Sequence, residues 1–240
     1  LLSAGLWWLS GLPEWLRFRR ATGRVAETQS AYLVDLCRRN QESAYFRHYG
    51  VERAEDFREK LPLVSYADLE PWIARMARGE ANVLCSEEVK LFEPTSGTQA
   101  VKLIPYTRSL KAEFQRGLAA WISDLYAHKP GLLGGRAYWS ITPPPQRPQY
   151  TEGGIPIGFE DDAAYLSGWG QKLVRRMLAV PRAGDLDQTL EQLLHCCDLS
   201  LVSVWSPTFW LLLLERLRRD WAKWARVPAL AERMKQAETR

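Results

Sequence analysis

A chain of 240 residues, 46% hydrophobic and 25% charged, is long enough to bury a sizeable core and reads as a soluble globular protein. A net charge of only +4 argues against a dedicated nucleic-acid binder, and the densest basic run, Arg216 to Arg226, is broken by Asp220 and interleaved with tryptophan. Four cysteines without CxxC spacing and three widely separated histidines give no metal-ligand pattern, and point to reduced thiols in the cytoplasm.

The N-terminal stretch Leu1 to Leu16 is apolar, with three tryptophans, but is interrupted by Ser3, Gly5, Ser10, Gly11, Pro13 and Glu14. It is too short and too broken for a membrane span, and lacks the basic region and cleavage site of a signal peptide. Apolar positions at Val25, Tyr32, Leu33 and Leu36 recur at helical spacing. A second short helical segment holds Phe57 and Leu61 and ends at Pro62. Ser65 followed by Asp68 is a capping pattern for a third helix, whose apolar face is Leu69, Trp72, Ile73 and Met76. Residues 1–80 are therefore expected to be helical, with an α/β portion over 81–240.

Val83 to Cys85 and Val89 to Phe92 read as short strands. Thr107 is placed to cap a long helix with the buried stripe Leu110, Phe114, Leu118, Trp121, Ile122 and Leu125. Arg136 to Ile141 has strand composition, Pro143 to Glu152 reads as an irregular loop, and Ile155 to Phe159 as a further short strand. Tyr165 to Val180 is expected to be helical with a break near Gly168 to Gly170. Asp185 caps another helix with Leu186, Leu190, Leu193 and Leu194 inward, and Leu199 to Trp205 reads as a buried strand. Ser206-Pro207 then starts a helix with Trp210, Leu213, Leu214, Leu217, Trp221 and Trp224 on its inner stripe. Alternating helices and short buried strands place the fold in the α/β class, with a mostly parallel sheet and a helical N-terminal segment.

No Walker A loop, dinucleotide fingerprint or Gly-x-Ser-x-Gly elbow occurs. Glu160-Asp161-Asp162 reads as the acidic opening of a helix, and the tryptophans on helical stripes (Trp72, Trp121, Trp221) as core. The chemistry-bearing stretch is 93–105, where an apolar strand enters the hydroxylic turn Thr95-Ser96-Gly97-Thr98 and Lys102 follows. Backbone N–H groups in a tight turn, hydroxyls and an ammonium are the donors that a phosphate requires.

Around this turn an ordered series of segments resembles the auxin-responsive acyl-acid amido synthetase family, and its bacterial members in particular. The segments are Leu61-Pro-Leu-Val-Ser-Tyr-Ala-Asp-Leu-Glu-Pro-Trp-Ile, Gly79-Glu-Ala-Asn-Val-Leu, Thr95-Ser-Gly-Thr, Lys102-Leu-Ile-Pro-Tyr-Thr, Gly134-Gly-Arg-Ala-Tyr-Trp-Ser-Ile-Thr-Pro, Gly154-Ile-Pro-Ile-Gly-Phe-Glu-Asp-Asp and Val202-Ser-Val-Trp-Ser-Pro-Thr-Phe. The resemblance runs from about Gln29 to Leu217 and places the chain in the adenylate-forming superfamily.

It implies the N-terminal part of a large adenylation domain, the family's later nucleotide motifs lying beyond these residues. It also implies ATP and Mg2+ as cofactors, with a small carboxylic acid and an amino acid as substrates. Thr95, Ser96, Gly97 and Thr98 would hold the nucleotide phosphates, with Lys102 beside them. Arg116 and Trp121, on the following helix, would face the acid. The resemblance names no catalytic base and no protein ligand for a metal, and implies that this stretch alone is inactive.

One departure is visible: Gln99, Ala100 and Val101 stand where the family carries glycines. Two other readings stay open at this point. One is a non-catalytic relative that binds a small acid or a protein; the other is a peripheral membrane or interaction domain using Leu1 to Phe18 and the Trp-rich helix.

Overall fold

The computed structural model describes residues 2–95, 102–139, 149–158, 178–179, 185–204, 206–227 and 230. In chain order these form α1 (Leu2–Thr22), α2 (Val25–Asn40), α3 (Ala44–Tyr49), α4 (Ala54–Lys60), α5 (Tyr66–Ala77), β1 (Val89–Pro94), β2 (Leu103–Thr107) and α6 (Arg108–His128). A 3-10 turn (Pro130–Gly134) follows, then β3 (Arg136–Trp139), β4 (Gln149–Tyr150), β5 (Pro156–Ile157), α7 (Leu186–His195), β6 (Leu199–Ser203), α8 (Pro207–Arg219) and α9 (Trp221–Trp224). The chain divides into two compact units. One is Leu16–Leu118 with Pro144–Glu160, and the other is Leu1–Trp15, Ala119–Pro143 and Asp161–Arg240.

In the unit built on Leu16–Leu118, caps fix where the helices begin. Ser43 Oγ accepts the Phe46 N–H at the start of α3, and Asp68 accepts both the N–H and the hydroxyl of Ser65 at 2.7 Å ahead of α5. At α4 the buried Asp56 accepts the N–H groups of Glu52 and Arg53 at 3.0 and 2.9 Å and pairs with Lys60 at 2.9 Å. Lys60, followed by those two N–H groups, draws the Asp56 carboxyl down to about 2. A carboxyl depressed on folding stabilises the fold above its unfolded value of about 4 and loses that contribution as pH falls through its folded value. The gap in urea midpoint between wild type and D56A is therefore expected to be constant above about pH 5 and to close between about pH 4 and 2.

Val83 to Cys85 is not a strand, contrary to its composition. The carbonyls of Asn82 and Val83 instead accept the first N–H groups of α3, from Ala44 at 2.7 Å and Tyr45 at 3.0 Å. Ser86 N–H is in turn held by the Asn40 side chain at 3.0 Å. The orphan donors of a helix N-terminus have captured the groups that a sheet ladder needs. Val83 is fully buried all the same, with Ile73, Met76 and Phe92.

The sheet of this unit runs β2-β1-β5-β4. The parallel pairing expected from the sequence is present between β1 and β5, at Phe92 and Ile157, but β1–β2 and β4–β5 are antiparallel. The correction follows from loop length. The connections at residues 95–102 and 151–155 can only double the chain back, whereas a parallel partner needs a crossover of about a dozen residues or more.

In the other unit β3 and β6 are parallel, with Ala137 opposite Leu201 and Trp139 opposite Ser203. Tyr138, Leu190, Leu193, Leu213 and Trp224 form its core. Asp185 caps α7 as expected, accepting the Gln188 N–H at 2.8 Å, whereas the Ser206 hydroxyl makes no capping bond at α8. Leu214 and Trp221 are exposed, which corrects the stripe read from sequence: α8 ends at Arg219, so a single periodic face does not continue through Trp224. Part of the basic run is structural. Arg216 and Lys223 both bind Asp187 and hold its carboxyl far below the ordinary range.

The broken N-terminal stretch lies in a helix, and one of its two glycines, Gly11, has a use. A Cβ at Gly11 would lie 2.3 Å from Ser123 Oγ and 2.9 Å from the Ala119 carbonyl, so α1 can approach α6 only without a side chain there. G11V is expected to cost about 1–3 kcal/mol in urea unfolding, as overpacking does. Among the described residues no helix is long and apolar enough to cross a membrane, and all four cysteines are free thiols. The expected helix at Tyr165 to Val180 and the acidic Glu160-Asp161-Asp162 lie outside the described residues, apart from Leu178 and Ala179.

Candidate functional site

The hydroxylic turn is the loop of the β1–β2 hairpin. Phe92, with none of its surface exposed, roots β1 in the core, and its carbonyl takes the Gly158 N–H at 2.7 Å. Three residues later the strand leaves the core at Thr95. There the Thr95 N–H donates to the Lys102 carbonyl at 2.9 Å, and the Lys102 N–H reaches the Thr95 hydroxyl at 3.4 Å. The structure thus brings Thr95 and Lys102 face to face across the mouth of the loop, with the Lys102 side chain exposed. Ser96, Gly97 and Thr98 lie outside the described residues.

Two neighbours escaped the sequence reading. Tyr66, the first residue of α5, accepts the Leu103 N–H at 2.8 Å and donates to the Leu103 carbonyl at 3.3 Å; its ring lies 5.3 Å from Lys102 Nζ. Glu87 accepts the Ser109 N–H at 3.1 and 3.2 Å and also binds the Ser109 hydroxyl, while Thr107 Oγ1 accepts the Leu110 N–H at 3.2 Å. Burial pushes the Glu87 carboxyl up, but the Ser109 and Thr107 donors and the Arg39 charge outweigh it and leave the group below the ordinary glutamate range.

The N-terminus of α6, directly after the hairpin, therefore already holds an anion. Its dipole is spent on Glu87, and a phosphate would have to be held by the loop itself. No local pattern betrays Tyr66 or Glu87, whose partners lie 37 and 22 residues further along the chain.

Arg116 and Trp121 both lie on α6 and both are exposed. Five helical positions turn through ~140° beyond a full circle, so the two side chains do not share a face. Trp121 is 46% exposed, and its ring packs edge-on against Trp139, with centroids 5.9 Å apart. Of the expected inward stripe Ile122 is buried and Trp121 is not; Ala120, Ser123 and Tyr126 are buried beside Ile122. Among the described residues no group of three His, Cys, Asp or Glu side chains could hold a metal ion.

What this hairpin can do is narrow: an exposed ammonium and a hydroxyl at the neck of a hydroxyl- and glycine-bearing loop suit an anion. The profile of the GH3 family N-terminal domain matches residues 16–227. This chain belongs to the GH3 family.

Two relatives give the likeness its scale. The indole-3-acetic acid-amido synthetase GH3.8 of Oryza sativa subsp. indica is 38% identical over 143 residues, which cover 55% of this GH3 chain and 23% of the relative. The probable indole-3-acetic acid-amido synthetase GH3.1 of Arabidopsis thaliana is 32% identical over 138 residues, covering 52% and 22%. In fold the chain is similar to a solved GH3.15 acyl acid amido synthetase, with a TM-score of 0.68 at 20% identity over 88% of this chain and 39% of that one. A second solved structure, AtGH3.15 in complex with 2,4-DB, gives 0.66 at 21% identity over 84% and 37%. The chain thus spans well under half the length of these proteins.

Proposed function

We propose that this GH3 chain supplies the nucleotide-phosphate portion of an ATP-dependent acyl-acid amido synthetase. The observation that carries this is the family match over residues 16–227, which includes a hairpin whose neck is closed by the backbone of Lys102 against the Thr95 N–H and hydroxyl, with the Lys102 side chain exposed.

In the proposed reaction a carboxylate oxygen of the acid attacks the α-phosphorus of ATP, a new O–P bond forms, and pyrophosphate leaves. The amine of an amino acid then attacks the activated carbonyl, AMP leaves, and loss of the amine proton gives the amide. Thr95, Ser96, Gly97 and Thr98 hold the β- and γ-phosphates. Lys102 offsets the charge that builds on the departing pyrophosphate, the kind of fixed electrostatic aid on which phosphoryl-group chemistry depends.

Mg2+ would come with the nucleotide, its oxygen ligands drawn largely from phosphate and water. Trp121 and Arg116 stay candidates for contacts to the acid, each from its own side of α6. The relatives' names suggest an aromatic acid such as indole-3-acetic acid, and ATP dependence suits the cytoplasm. These 240 residues alone are expected not to turn over ATP, since they span 37–39% of the two solved synthetases.

The test is the complete protein incubated with ATP, Mg2+, a panel of aromatic acids and the amino acids. Acid-dependent pyrophosphate release and an amide detected by mass spectrometry are the expected results. Neither product, with folded protein, would end this reading.

A further inference from the structure

The phosphate reading leaves unexplained how an exposed lysine at a loop neck is kept aimed at its ligand, and Tyr66 answers this. The inference rests on that reading and adds a residue to it. Among the described residues β2 is one of the two edge strands of its sheet. Because Thr95 N–H already bonds the Lys102 carbonyl, the next pair, Pro94 and Leu103, has the Leu103 N–H and C=O turned away from β1. An edge residue in that position would ordinarily be left to water or to another chain. Here a single phenol hydroxyl takes both groups, accepting at 2.8 Å and donating at 3.3 Å.

One residue earlier, the Lys102 ammonium stands 5.3 Å from the centre of the same ring, within the range in which the ring face attracts a cation. The phenol cannot swing freely. It is the first residue of α5, whose start is locked by the Ser65–Asp68 capping bonds and whose inner face, Ile73 and Met76, is buried.

We propose that Tyr66 is a positioning residue for nucleotide binding. Its hydroxyl fixes the base of the phosphate loop, and its ring parks the Lys102 ammonium at the loop mouth, ready for the triphosphate. A lysine stem has four rotatable bonds, and pre-placing its head reduces the ordering that ligand binding would otherwise demand. Tyr66 touches no reacting atom and acts only through Lys102 and Leu103.

The test is a double-mutant cycle in the complete protein, read as kcat/KM for ATP in acid-dependent pyrophosphate release. Y66L is expected to lower kcat/KM for ATP by roughly fivefold, chiefly through KM, with KM for the acid unchanged. Y66F, which keeps the ring, should stay within roughly threefold of wild type. In a K102A background Y66L should cost no more than Y66F costs in the wild type, because the ring then has no ammonium to position and only the hydroxyl's bonds to Leu103 are lost. Equal losses from Y66L with and without Lys102 would overturn the proposal, as would Y66L matching wild type.

Should Y66L fail to fold, the ε-methylene resonances of Lys102 in the wild-type chain decide. An upfield ring-current shift supports the contact, and random-coil positions refute it. If wild type releases no pyrophosphate at all, the enzymatic reading fails by itself, and the Lys102 resonances still report on the Tyr66 contact.

Discussion

Replacing Phe92 with alanine is expected to destabilise the unit that carries the hairpin by about 3–5 kcal/mol, the usual cost of removing a buried aromatic ring. None of the Phe92 surface is exposed, and the ring packs among Ile73, Met76 and Val83, with Leu103 and Ile157 against the same cluster. The cavity cannot close by a strand shift. Phe92 is paired with Pro105 on one side and Ile157 on the other, and its carbonyl is tied to Gly158. F92L keeps most of the volume and should cost about 1 kcal/mol. Urea unfolding followed by far-UV circular dichroism reads both. An F92A loss below about 1 kcal/mol would mean that β1 is not rooted as described.

Much of this architecture is legible in the sequence. The caps at Ser65–Asp68, Thr107 and Asp185 are local, and each appears where its residues predict. Of the two hairpin strands, β1 shows through its apolar content at Val89 to Phe92, whereas β2, Leu103–Thr107, with Pro105 inside it, is not read as a strand. What the sequence hides is non-local. Val83 to Cys85 has strand composition, but its backbone is claimed by α3. Trp121 sits on an apolar stripe, yet the small residues Gly11 and Ser123 set where α1 meets α6 and leave that indole half exposed. At the candidate site, Thr95 and Lys102 are found from their motif, whereas Tyr66 and Glu87 become visible only when strands and helices are laid side by side.

Replacing Lys102 with alanine in the complete protein is expected to lower the rate of acid-dependent pyrophosphate release by about a hundredfold, the lower range seen when one preorganised charge-stabilising donor is lost from a reaction centre. The side chain is exposed, so the fold should be retained and the urea midpoint unchanged. K102R restores charge but not the compact ammonium, and should recover only part of the rate. Glu87 gives the contrast. It occupies the α6 N-terminus rather than the loop, so E87Q should disturb stability more than it disturbs KM for ATP. A K102A protein with wild-type rate and wild-type KM for ATP would remove the lysine from the site.

The most direct measurement is the exchange of labelled pyrophosphate into ATP by the complete protein, with an aromatic acid present and no amino acid. Exchange reports reversible adenylation of the acid before any amide forms. The expected result is label entering ATP only when acid is present, with the signal lost in K102A. Absence of exchange with every acid tried, while the protein is folded and still binds ATP, would contradict an adenylating function for this hairpin.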